Sequence, residues 1–140
     1  MDMSDQFEGL GGARWTQQRR TLLAFLGEEN RCLSAQEIHA ELARRGKTVS
    51  LATVYRTVAR LVTAGGLDVV LREDGEATYV AGSAQHHHRL VCRTCGRAEE
   101  IAHPGVARWS DEEAARHGFT EATHRLAVFG TCPACRASGV

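Results

Sequence analysis

Apolar residues recur at helical spacing in three stretches of the first 65 residues. Leu22, Leu23 and Leu26 share one side of a segment that opens near Thr16, a suitable N-cap, and stops at Gly27. Ser34, with Glu37 three positions on, predicts a capping box, in which side chain and backbone satisfy each other's unpaired groups. Ile38 and Leu42 lie on one face of the helix that follows, and Gly46 ends it. Ser50 opens a third helix with Val54, Val58, Leu61 and Val62 as its buried stripe. Ala52, Thr53, Arg56 and Arg60 fall mostly away from that stripe, and Gly65-Gly66 closes the helix. The pattern then changes to short extended runs. Residues 67–72 and 77–80 read as two strands around an Asp74-Gly75 turn. Three helices and a hairpin, with a short turn between the second and third helices, make a winged helix-turn-helix. Its third helix has the dimensions to enter a major groove. The competing reading is a small helical domain that only packs against a partner.

Residues 81–85 are small and polar and read as a hinge. Beyond it, residues 86–91 and 97–102 read as strands. Residues 104–117 form a helix with Pro104 in its first turn and Gly118 after its end. Residues 120–129 alternate and predict a longer strand. The fold class is therefore α+β, with a winged-helix DNA-binding domain over 1–80, the hinge, and an α/β metal-binding dimerisation domain over 86–140. The second unit is small for an independent core, so metal and a partner chain are expected to support it.

Charge sharpens this picture. The 17 Lys and Arg balance the 17 Asp and Glu, which taken alone argues against a nucleic-acid partner. Yet residues 13–60 hold nine basic and four acidic residues, a local excess of +5 against −5 elsewhere. A basic face on a neutral chain suits DNA; a solvated helical surface is the plainer alternative. No run of eighteen apolar residues exists, and the N-terminus has no basic start or apolar core. A cytoplasmic protein without a membrane-spanning segment is expected.

Two Cys-x-x-Cys pairs, Cys92/Cys95 and Cys132/Cys135, carry the strongest chemical signal. Each two-residue gap lets one tight turn aim two thiolates at one ion, and two such turns complete a closed tetrahedral zinc site of the structural type. Metal binding of that kind adds to folding free energy. A dithiol redox pair needs only one Cys-x-x-Cys, and disulfides are rare in cytosol. Cys32 stands apart as a small buried filler or a ligand. His86 and His88 share one face of a strand while His87 faces the other. With His124 they could converge on a second, more labile divalent-metal site, zinc or another metal that accepts imidazole. Glu99 and Glu100 read as surface charge or as a carboxylate of that site. No phosphate-binding loop and no acid–base carboxylate pair is present, so neither an enzyme nor a small-molecule substrate is expected.

Together these residues resemble the ferric uptake regulator family of metal-dependent repressors. The motifs are Arg14-Trp-Thr-Gln-Gln-Arg19, Ser34-Ala-Gln-Glu-Ile38, Ala52-Thr-Val-Tyr-Arg56, the run from His86 to Gly96, and His117-Gly-Phe119 through Cys135. The resemblance implies a homodimer that binds a palindromic operator when loaded with metal. Tyr55 and Arg56 match base-reading positions, with Thr53 on the same helix; Arg14 matches a minor-groove residue and Arg19 a DNA-backbone contact. The four cysteines match the structural zinc site, and His86, His88 and His124 match ligands of a regulatory site. His rather than Asp at 88 places the chain nearer the zinc-sensing branch. Ala107 replaces the family's fourth ligand, a Glu; His103 or Asp111, one turn to either side, could substitute. The family's hinge site would draw here on Cys32, Asp68, His87 and Glu100, but Arg89, Val80 and Ala81 stand at other ligand positions, so that site is either rebuilt or lost. An iron-, manganese- or nickel-responsive relative, and a zinc hydrolase using the three histidines, remain as alternatives.

Overall fold

The computed structural model describes residues 17–82 and 88–139. Thr16, Arg14, His86 and His87 lie outside the described residues. Three helices come first, α1 (Gln17–Glu28), α2 (Ala35–Arg44) and α3 (Leu51–Ala64), then a hairpin of β1 (Leu67–Leu71) and β2 (Ala77–Ala81). The capping box forms at α2: Glu37 N–H donates to Ser34 Oγ, and Ser34 N–H to the Glu37 carboxylate. Gly65 ends α3 in the left-handed conformation, φ +84°. Leu22, Leu26, Ile38, Leu42, Val54, Val58, Leu61 and Leu67 meet in one apolar cluster beneath the hairpin. Burying each such side chain contributes about 1.5–3 kcal/mol before the entropy cost of ordering it. Leu33 and Tyr79 exchange backbone hydrogen bonds, which stitch the α1–α2 connection to β2.

The second unit contains β3 (His88–Cys92), β4 (Ala98–Glu100), α4 (Pro104–Arg116), β5 (Leu126–Gly130) and α5 (Pro133–Ala137). Its sheet has the order β4-β3-β5; β3 runs antiparallel to β4 and parallel to β5. A parallel pair needs a long crossover, and α4 lies within it. None of the residues of α4 is buried, and Trp109 is 64% exposed.

The chain departs from the sequence expectations in four places. α1 continues through Gly27 to Glu28, because Glu29 N–H still bonds back to the Phe25 carbonyl. The final strand starts at Leu126 rather than 120, and Glu121 adopts φ 55°, outside any strand geometry. α5 was not foreseen; Cys132 caps it and Pro133 opens it. Thr53 is 8% exposed instead of facing outward, since its hydroxyl accepts from Ser50 Oγ at 2.8 Å within the α3 cap. No helix among the described residues is long and apolar enough to cross a membrane.

Candidate metal centre and nucleic-acid interface

Cys92 closes β3 and Cys95 sits in the turn that follows; Cys132 and Cys135 sit at the first turn of α5. Parallel pairing places Cys92 beside Gly130, so the second Cys-x-x-Cys arrives two residues later next to the first. The four sulfurs lie within 4.8 Å of one another, the one set of three or more metal-binding side chains so gathered among the described residues. Cys95 Sγ and Cys132 Sγ are 3.8 Å apart. A tetrahedron with bonds of about 2.3 Å to zinc has edges of about 3.8 Å, so the spacing fits that ion. It does not fit a disulfide, whose sulfurs stand about 2.05 Å apart.

Backbone donors prepare the sulfurs for negative charge. Cys132 N–H reaches Cys92 Sγ at 3.3 Å, and Arg97 N–H reaches Cys95 Sγ at 3.4 Å. Donation from the Cys95 backbone, followed by that of Cys132, brings the Cys92 thiol down to about 6. Cys135 goes the other way, to about 12, chiefly through its hydrogen-bonded contact with Cys132. One thiolate therefore forms easily and the last resists; a divalent cation supplies the charge that lets all four ionise.

The first cysteine turn is also bonded to the winged helix. Cys32 N–H donates to the Gly96 carbonyl at 2.7 Å, and Ala98 N–H to the Asn30 carbonyl at 3.0 Å. Gly96 has φ +81°, and a Cβ there would stand 2.7 Å from the Cys32 carbonyl oxygen. Glycine is required by both conformation and space. The Cys32 side chain is 1% exposed, packed with Val70, Val80 and Val91, and burial pushes its thiol up.

At the opposite end of β3, the ring of His88, 8% exposed, lies 4.9 Å from that of His124, tilted by 45°. His103 caps α4 by accepting Gly105 N–H on Nδ1 at 2.9 Å, and Asp111 is exposed. Neither joins His88 and His124 in a cluster of three donors among the described residues.

Cys32, Asp68 and Glu100 do not form such a cluster either. A guanidinium lies between two of them: Arg89 donates to Asp68 Oδ2 at 2.7 Å and is 3.8 Å from Glu100. Sequence reasoning treated Arg89 only as a cation that spoils a metal site. Its place in a strand with buried neighbours was the available signal for a structural role.

On α3, Tyr55 is 48% exposed, and Arg56 and Arg60 are exposed beside it. Thr53 belongs to the helix cap and does not share that surface. Arg19 is half-buried on α1, while its neighbour Gln18 accepts Ser50 N–H and ties α1 to the start of α3.

The model of the ferric uptake regulator family matches residues 11–129. The zinc uptake regulation protein of Mycobacterium tuberculosis (strain ATCC 25618 / H37Rv) is 41% identical over 125 residues, 89% of this chain and 96% of that protein. Among solved structures, FurB from M. tuberculosis, a zinc uptake regulator, is 41% identical, covering 90% of this chain and 98% of its own, with a TM-score of 0.51. The Vibrio cholerae ferric uptake regulator is 28% identical, covering 93% and 96%, with a TM-score of 0.71. A match over most of the chain, on a winged helix joined to a four-cysteine sheet, establishes that this protein belongs to the ferric uptake regulator family.

Proposed function

We propose that this chain is a zinc-responsive transcriptional repressor that acts in the cytoplasm as a homodimer on palindromic operator DNA. At the coarser level, it is a metal-responsive transcriptional regulator of its family and not an enzyme, which sets aside the zinc hydrolase. The observation that carries the finer reading is the ring contact between buried His88 and half-buried His124 at the end of β3 away from the cysteines. Imidazole ligands suit zinc, and the zinc uptake regulation protein of M. tuberculosis supports the same choice.

In this reading the four cysteines hold a permanent zinc, and His86, His88 and His124 bind the sensed one. Asp111 suits the fourth position better than His103, whose Nδ1 is engaged at the α4 cap. Tyr55 and Arg56 face the bases, Arg14 reaches the minor groove, and Arg19 contacts the DNA backbone. Metal binding shifts the population toward the arrangement that spans both half-sites; a full switch needs about 5 kcal/mol of differential affinity.

The test is operator affinity against buffered free zinc, iron(II), manganese and nickel, with metal content by mass spectrometry. Two or more zinc per chain and zinc-dependent binding are expected. His88→Ala and His124→Ala should abolish the zinc response while keeping one zinc per chain. DNA binding indifferent to every metal would overturn the proposal; a response to iron, manganese or nickel at lower free concentration than zinc would reassign the signal.

A further inference from the structure

Arg89 is 3% exposed, the most buried charged residue among those described. It sits on β3, in the second unit, yet its strongest partners belong to the first. Nη1 donates to Asp68 Oδ2 on β1 at 2.7 Å, and Nη2 to the Ala81 carbonyl at the end of β2 at 3.0 Å. Glu100, opposite Arg89 across the β3–β4 ladder, stands 3.8 Å away. Two sheets thus meet around one guanidinium, with a carboxylate and a carbonyl from the wing and a second carboxylate from β4. Because Leu67 pairs with Ala81 and Asp68 with Val80, the two wing acceptors lie on neighbouring strands at the edge where the chain leaves the hairpin.

We propose that Arg89 is a positioning residue for operator binding: its guanidinium is a built-in cation that clamps the DNA-binding unit onto the second unit without any metal at this junction. The proposal takes its link to operator binding from the function proposed above; the clamp itself stands on geometry alone. A guanidinium offers donors in a fixed planar fork, so it can hold Asp68 and Ala81 at once. Burial makes the arrangement stringent, since a charge removed from water must stay paired. Its consequence is a division of labour: this junction is set by the sequence, and metal control falls to the histidine end of β3.

Three variants test it. Arg89→Met keeps the apolar stem and removes the charge; circular dichroism and one cysteine-bound zinc per chain verify that the variant is folded before it is compared. With the cysteine zinc retained, amide exchange of Ala77–Ala81 should accelerate by about tenfold or more, and small-angle scattering should show a larger radius of gyration. Arg89→Lys should lie between the two, because one ammonium cannot reproduce the fork. Arg89→Glu would surround the junction with carboxylates and a carbonyl, a hard oxygen donor set. It should open the junction, and added manganese(II) should close it again with one further ion bound per chain. Arg89→Met matching the wild type in exchange and scattering would overturn the clamp, as would failure of manganese to restore closure in Arg89→Glu. Neither readout involves DNA or zinc response, so the clamp can fail while the repressor reading stands, and the reverse.

Discussion

Replacing Gly96 by alanine probes the joint between the first cysteine turn and the winged helix. Two costs apply. A Cβ at φ +81° costs about 1–2 kcal/mol in the left-handed region. The same Cβ would sit 2.7 Å from the Cys32 carbonyl oxygen, a backbone atom that moves only if the two segments part. Parting them stretches the 2.7 Å bond from Cys32 N–H to the Gly96 carbonyl, worth about 1 kcal/mol. Gly65→Ala is the control: its φ is +84°, but nothing lies within 4 Å of the added Cβ. Gly65→Ala should therefore lose about 1–2 kcal/mol and Gly96→Ala about 3 kcal/mol, measured by urea unfolding of the zinc-loaded protein at fixed concentration. Gly96→Ala should also weaken zinc retention about tenfold in chelator competition, since about 1.4 kcal/mol is one decade; Gly65→Ala should leave it unchanged. Equal destabilisation of the two variants, with equal zinc retention, would refute the reasoning by showing that the close approach carries no energy.

Three further outcomes are expected. Ser34→Ala removes one half of the α2 capping box and should cost about 1 kcal/mol in unfolding free energy, whereas Glu37→Gln, which can still accept from Ser34 N–H, should cost less. The hydrogen bond from Arg31 holds the Glu29 carboxyl below its ordinary 4.5 despite opposing burial. Its stabilising contribution is thus complete above 4.5 and lost as pH falls through the lower folded value, so Arg31→Ala should flatten the acid limb of the stability–pH profile. Arg56→Ala, on the exposed face of α3, should weaken operator binding and reduce the slope of log affinity against log salt by about 1 if it contacts phosphate; an unchanged slope with relaxed sequence preference would assign it to a base.

The elements legible in the sequence were those whose signals are local. Ser34 and Glu37 announce α2 because the box closes within one turn, and Gly65 announces the end of α3 because glycine alone takes that conformation cheaply. The paired cysteines were legible because metal geometry imposes short spacing. What escaped depends mostly on residues far apart in the chain, Thr53 being the local exception. Thr53 faces inward because Ser50 and the packed stripe claim it. Residues 120–125 alternate like a strand, yet β3 is only five residues long and pairs from Leu126 onward. Arg89 read as an obstacle because its partners, Asp68 and Ala81, are remote in sequence. Gly96 gave no warning that Cys32 would press against it.

The parallel pairing of β3 with β5 has a consequence for how this chain can change over time. His88 opens β3 and Cys92 closes it; His124 precedes β5 and Cys132 follows it. Because both strands run the same way, nitrogen donors collect at one end of the sheet and sulfur donors at the other, about 13 Å apart along the strand. Reversing either strand would set imidazole against thiolate at both ends and merge two chemistries that this layout keeps separate. A single inserted residue within β3 would displace one end against β5 and turn alternate side chains to the wrong face. Loops between the strands can lengthen freely, but the two strands themselves can drift only by substitution.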